Sequence, residues 1–160
     1  MNHTLYLLDP DATPAWAPFA GARPLCELRA GAHLVRERWE QFLGTETREI
    51  FALPHLAGFV EPGVPSVAAR HPVTGPALIG PSTFVPRGPA PPPPDGALRP
   101  TCEGMTAGWG VGAGMTRDWP MKNIEGEEQD HQHHRSRWFS HGAVNGVDFW
   151  SEDAKAGKIV

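Results

Sequence analysis

Residues 19–44 read FAGARPLCELRAGAHLVRERWEQFLG, and their pattern decides the fold class. From Gly31 to Leu43 the apolar residues Leu34, Val35, Trp39, Phe42 and Leu43 fall on one helical stripe, while Arg36, Glu37, Arg38, Glu40 and Gln41 cover the other side. Gly44 follows, and a glycine there commonly ends a helix. Upstream, Thr4 to Leu8 is short, apolar and β-prone, and Asp9-Pro10-Asp11 stops it, which predicts a buried first strand. Downstream, Glu49 to Leu53 predicts a second strand, and Pro54 suits the first turn of a short helix. Strand, helix, strand begins a βαβ unit. The expectation is an α/β fold, a parallel sheet with helices on its faces and ligand-binding loops at the carboxyl ends of the strands. The loop from Asp9 to Arg29 leaves from that end.

The chain has 160 residues, enough for one domain with a real core. Its formal charge of -4 argues against a general nucleic-acid binder, so any anion site must be local. Cys26 and Cys102 are the two cysteines, with no zinc or redox spacing between them. The N-terminus lacks a basic segment followed by a long apolar run, and no stretch reaches the length of a membrane span, so a cytoplasmic protein is expected.

Beyond Phe59 the pattern weakens. The 18 prolines and 18 glycines predict many turns, with Pro62, Pro65, Pro72, Pro76 and Pro81 breaking the chain and Ala77 to Ile79 apolar enough for a strand. PRGPAPPPPDGALRP, residues 86–100, reads as a stiff polyproline connector. MTAGWGVGAG, residues 105–114, reads as a strand ending in a glycine turn rather than a dinucleotide fingerprint, because no helix follows it. From Met121 the composition is polar and irregular. Residues 1–120 thus form the structured region and residues 121–160 a polar, divergent tail.

Chemistry concentrates on the turn before the helix. Arginine presents a rigid fork of donors suited to phosphate, and helix N-termini favour anions, so Arg23 and Arg29 flanking a helix start are candidate phosphate contacts, with Glu27 to orient one of them or a sugar hydroxyl. The same residues also fit a solvated Glu27–Arg29 pair beside a loop charge. Cys26, flanked by Leu25 and Leu28, reads as a small buried side chain. In the tail, HQHHRSRW offers imidazoles, and Asp130 and His134 stand at the i, i+4 spacing of helical metal ligands. They are the metal candidates.

The series Arg23-Pro24, Glu27-Leu28-Arg29-Ala30-Gly31 and Arg36-Glu37-Arg38-Trp39-Glu40, placed after LYLLDPD, resembles the N-terminus of bacterial sugar-phosphate nucleotidyltransferases of the N-acetylglucosamine-1-phosphate uridyltransferase-like or glucose-1-phosphate thymidylyltransferase-like group. The likeness runs more loosely through ALIGPSTFVPRG and EGMTAGWGVGAG. It implies a partial Rossmann-like sheet that transfers a nucleotidyl group from UTP or dTTP to a sugar 1-phosphate with magnesium, making a nucleotide sugar for cell-envelope precursors. It also implies Arg23 and Arg29 as phosphate contacts, with Glu27 and Gly31 supporting the loop. Two departures stand out: Asp9 to Ala20 contains no glycine, and Leu25 stands where the wider superfamily has lysine, so Arg29 must supply that charge. The expectation is a truncated or divergent form, the alternative a non-catalytic binding or assembly module on the same fold.

Overall fold

Leu5 and Leu7 point to one side of β1 (Thr4–Leu8), Tyr6 and Leu8 to the other, and all four are buried. A strand without a polar face belongs at the centre of a sheet. β1 does lie there, parallel to β4 (Thr47–Phe51) on one side and to β7 (Ala77–Pro81) on the other. β5 (Ser66–Ala68) extends the sheet beyond β4 in parallel, and β10 (Trp109–Val111) closes it beyond β7 in antiparallel, giving the order β10-β7-β1-β4-β5. The chain therefore moves outward from β1 through β4 to β5, then returns to the other flank of β1 with β7. This is the topological switch point of an open α/β sheet, where such folds bind ligands. The computed structural model describes residues 3–10, 21–86, 101–102 and 105–117.

The expected helix forms, but only over Val35–Leu43 (α1). The residues before it fold as a hairpin of β2 (Arg29–Ala30) and β3 (His33–Leu34), with Gly31 at φ 74° in the turn. A positive φ is costly for a side-chain-bearing residue and is supplied here by glycine, so the turn overrides the helical continuation that the Leu34 position allows. Leu34 has no side-chain acceptor with which to cap α1; instead Glu37 Oε2 accepts from the Leu34 amide at 2.8 Å. Gly44 ends the helix in the left-handed conformation, its amide donating to Glu40 O at 2.8 Å.

α1 lays Val35, Trp39 and Phe42 on Leu5, Leu7, Ile50, Val67 and Leu78 of the sheet. Trp39 sits directly over Gly80, where a β-carbon would come within 2.7 Å of the indole, so β7 needs glycine at that point. The indole Nε1 then donates to Phe84 O at 3.1 Å, fixing the chain as it leaves β7.

The opposite face carries Tyr6, Leu8, Phe51, Ala77, Ile79, Trp109 and Val111. The expectation was helices on both faces. Here Val73 of β6 (Val73–Thr74), paired with β11 (Thr116–Arg117), joins this second cluster. His71 stands edge-on to Phe51 with ring centroids 4.9 Å apart. A further short hairpin joins β8 (Thr101–Cys102) to β9 (Met105–Thr106).

The second strand begins at Thr47 rather than Glu49, and the third element runs on to Pro81, the last strand residue, which pairs with Leu8. Pro54 does open a short 3-10 turn, Pro54–Leu56. Most of the proline-rich connector and all of the tail from 121, including Asp130 and His134, lie outside the described residues. No described helix is long and apolar enough to cross a membrane.

Candidate functional site at the carboxyl ends of the strands

Asp9 and Ser82 are the first residues past β1 and β7, and their amides continue the ladders, Asp9 N to Phe51 O and Ser82 N to Leu8 O, each at 2.8 Å. The two side chains meet across the switch point, Ser82 Oγ donating to Asp9 Oδ1 at 2.6 Å. The other carboxylate oxygen accepts from the Leu25 amide at 2.8 Å. Asp9 thus clamps the 3-10 turn Leu25–Glu27 onto the end of β1. Burial pushes its carboxyl up to about 6, against the pull of Ser82 and of the Leu25 and Cys26 amides.

The segment in front of that turn crosses the end of β4 as well, since His55 Nε2 lies 3.2 Å from Gly21 O. It delivers Arg23, whose guanidinium forms an ion pair with Glu61 from the loop between β4 and β5. Both partners are partly exposed, at 38% and 41%. Arg29 stands on the hairpin, exposed, with Nη1 donating to Ala32 O at 2.9 Å. Arg23 and Arg29 therefore engage different partners on either side of the Leu25–Glu27 turn.

Glu27 faces inward. Its carboxylate takes Arg36 Nε at 2.5 Å, with side-chain exposures of 3% and 14%, so its partner is an arginine on α1 and not the neighbouring Arg29. Arg36 also reaches Glu40 at 3.3 Å and Gly63 O at 3.1 Å, tying the turn, the helix and the β4–β5 loop together. Glu40 in turn accepts from the Thr47 amide at 3.0 Å. Gly31 serves the hairpin turn. Cys26 is fully buried, and burial, with the Asp9 and Glu27 carboxylates nearby, keeps its thiol protonated by pushing the pKa up.

Sequence reasoning passed over Asp9, read as a turn former, and Arg36, read as a solvent-facing charge. The signal for Asp9 was present: a carboxylate directly after a fully apolar strand is placed by that strand at the sheet's carboxyl edge. Arg70 was also missed. It follows β5, and its Nη2 lies 3.4 Å from Asp9 O, the root of the loop after β1. Among the described residues no group of three or more His, Cys, Asp or Glu is placed to hold a metal ion.

Comparison with known proteins assigns the two parts of the chain differently. A family of unknown function (DUF6807) matches residues 111–160. No curated protein and no solved structure matches. A family described as sugar nucleotidyl transferase matches residues 5–81, just under half of the chain and the whole of the parallel sheet with its carboxyl-edge turn, so this N-terminal region is sugar-nucleotidyltransferase-like.

Proposed function

We propose that the N-terminal region binds a nucleoside triphosphate, UTP or dTTP, together with a sugar 1-phosphate at the carboxyl ends of β1 and β7. In the reaction this implies, a sugar-phosphate oxygen attacks the α-phosphorus, the bond to the bridging oxygen breaks, and pyrophosphate leaves with the electron pair. The product is a nucleotide sugar, of the kind cytoplasmic enzymes supply for cell-envelope precursors. The observation that carries the reading is the Arg23-Pro24-Leu25 turn pinned to Asp9 where the strand order reverses; the family match over the same residues supports it.

Arg23 and Arg29 act as phosphate contacts, Gly31 turns the hairpin, and Glu27 holds the turn from beneath through Arg36. Such transfers use a magnesium-bound triphosphate, and among the described residues the Asp9 and Glu27 carboxylates already have protein partners. Both Asp9 oxygens are engaged by Ser82 and Leu25, and Glu27 is engaged by Arg36. Binding and orientation are therefore the roles assigned to these residues.

Calorimetric titration of UTP and dTTP, with magnesium, into the full chain tests the reading. Each of Arg23→Ala and Arg29→Ala should weaken binding roughly ten-fold, the value of one charge-assisted hydrogen bond. Failure of the wild type to bind either nucleotide, or unchanged binding in both variants, removes it. The internal engagement of Asp9 and Glu27 favours a second reading, a module that binds without turnover. Pyrophosphate release from UTP and a sugar 1-phosphate separates the two.

A further inference from the structure

The β2–β3 turn is held by two guanidinium groups. Arg29 Nη1 donates to Ala32 O at 2.9 Å, and Arg38 Nη2 comes back from α1 to Ala30 O at 3.5 Å. Side chains on a helix lean towards its N-terminus, which is how Arg38 reaches the hairpin that precedes its own helix. Gly31 lies between the two carbonyls, and a β-carbon there would sit 3.6 Å from Arg38 Nη2.

Arg23 and Arg36 meet carboxylates. Arg29 and Arg38 differ, because among the described residues their hydrogen bonds go to neutral main-chain oxygens. The Nε of Arg38 is moreover buried without a hydrogen-bond partner there, in a class of group that native structures rarely leave unmet. The nearby Glu37 carboxylate is turned to the Leu34 amide and to His33. Two like charges on one turn repel each other, and an oxyanion between them relieves the repulsion while giving the guanidinium donors a charged acceptor.

We propose that Arg29 and Arg38 form a two-guanidinium seat for a single phosphoryl group at the Gly31 turn. Arg38 is then a binding residue on the side of α1 that the apolar pattern assigns to solvent. The positive end of α1, which starts at Val35 beside this turn, favours the same charge. That the phosphoryl group belongs to a nucleotide or a sugar phosphate rests on the function proposed above; the seat itself rests on the hairpin geometry.

The test is calorimetric titration of UTP with magnesium, glucose 1-phosphate and uridine into the full chain, comparing the wild type with Arg38→Gln and Arg38→Lys. Arg38→Gln should weaken one phosphate ligand about ten-fold and lower the salt dependence of its binding. A loss for UTP identifies the triphosphate as the occupant, and a loss for glucose 1-phosphate identifies the sugar phosphate. Arg38→Lys should recover part of the loss, and uridine binding should not change. In an Arg29→Ala background the Arg38→Gln effect should shrink, because the two residues share one group. Unchanged affinity for both phosphate ligands in a folded Arg38→Gln chain overturns the seat, as does an effect of equal size with and without Arg29. If Arg23→Ala weakens nucleotide binding while Arg38→Gln does not, the proposed function stands and the seat falls; the reverse result keeps the seat and removes the assigned role of Arg23.

Discussion

Two arginine–carboxylate pairs meet around the Leu25–Glu27 turn and lie at different depths in the fold. Glu27–Arg36 is nearly sealed, at 3% and 14% side-chain exposure, and joins the carboxyl-edge turn to α1. Arg23–Glu61 is partly open, at 38% and 41%, and spans the loop in front of that turn. Depth sets what each pair can do. Buried charges cannot be separated without stranding one of them in a medium of low polarity, whereas an exposed pair exchanges readily with water and ions. The inner pair therefore belongs to the frame, and the outer pair presents an arginine that a stronger anion can take over.

The largest test of that contrast is Arg36→Ala. It leaves Glu27 as an uncompensated buried charge and should cost about 3–5 kcal/mol in denaturant unfolding, against less than about 1 kcal/mol for Arg23→Ala. Equal costs would erase the distinction. Next is the clamp that supports both pairs. The folded state holds the Asp9 carboxyl near 6, above its ordinary value of 3.8, so the folded chain keeps a proton that the unfolded chain has already lost. Stability should accordingly fall, on the order of 3 kcal/mol, as pH rises from about 4 to about 6. Asp9→Asn should flatten that part of the profile. Gly80→Ala, which forces a methyl group into the Trp39 ring, should cost about 1–3 kcal/mol and red-shift or broaden the tryptophan emission as the buried indole is displaced. Smallest is Glu61→Gln. Stability should change by less than about 1 kcal/mol, while pyrophosphate binding should strengthen about two- to five-fold because the internal competitor for Arg23 has gone. Weaker binding would instead make Glu61 the residue that positions Arg23.

The parallel sheet was legible wherever hydrophobic patterning ran for a full element. TLYLL announced a buried first strand, the Trp39 and Phe42 stripe the helix, and Gly44 its end. Shorter pieces were not. Ser66–Ala68 is a three-residue strand between prolines, too brief to show any period, and its place at the sheet edge comes from pairing with Glu49–Phe51. The hairpin at Arg29–Leu34 was absorbed into the helix because Leu34 fits both patterns, and only the positive φ of Gly31 separates them. Pro81 looked like a breaker, yet a proline is tolerated at the end of a strand, where its missing N–H is not required. The charged turn itself was visible, but not its partners. Arg36 is nine residues from Glu27 and Glu61 is 38 from Arg23, distances that only the tertiary fold closes.

Because β10 runs against β7, pairing Trp109 with Ile79 and Val111 with Ala77, the backbone descends from the ligand-facing rim and emerges at the opposite one. There Thr116 and Arg117 join Thr74 and Val73, upstream of β7. The segment that leaves β10 is thereby laced to the one that enters β7, by β11 on β6 and by a bridge between Gly75 and Ala113. A methyl group at Gly75, where a β-carbon would stand 2.2 Å from Gly112 O, would wedge these two segments apart and loosen the edge strand from β7.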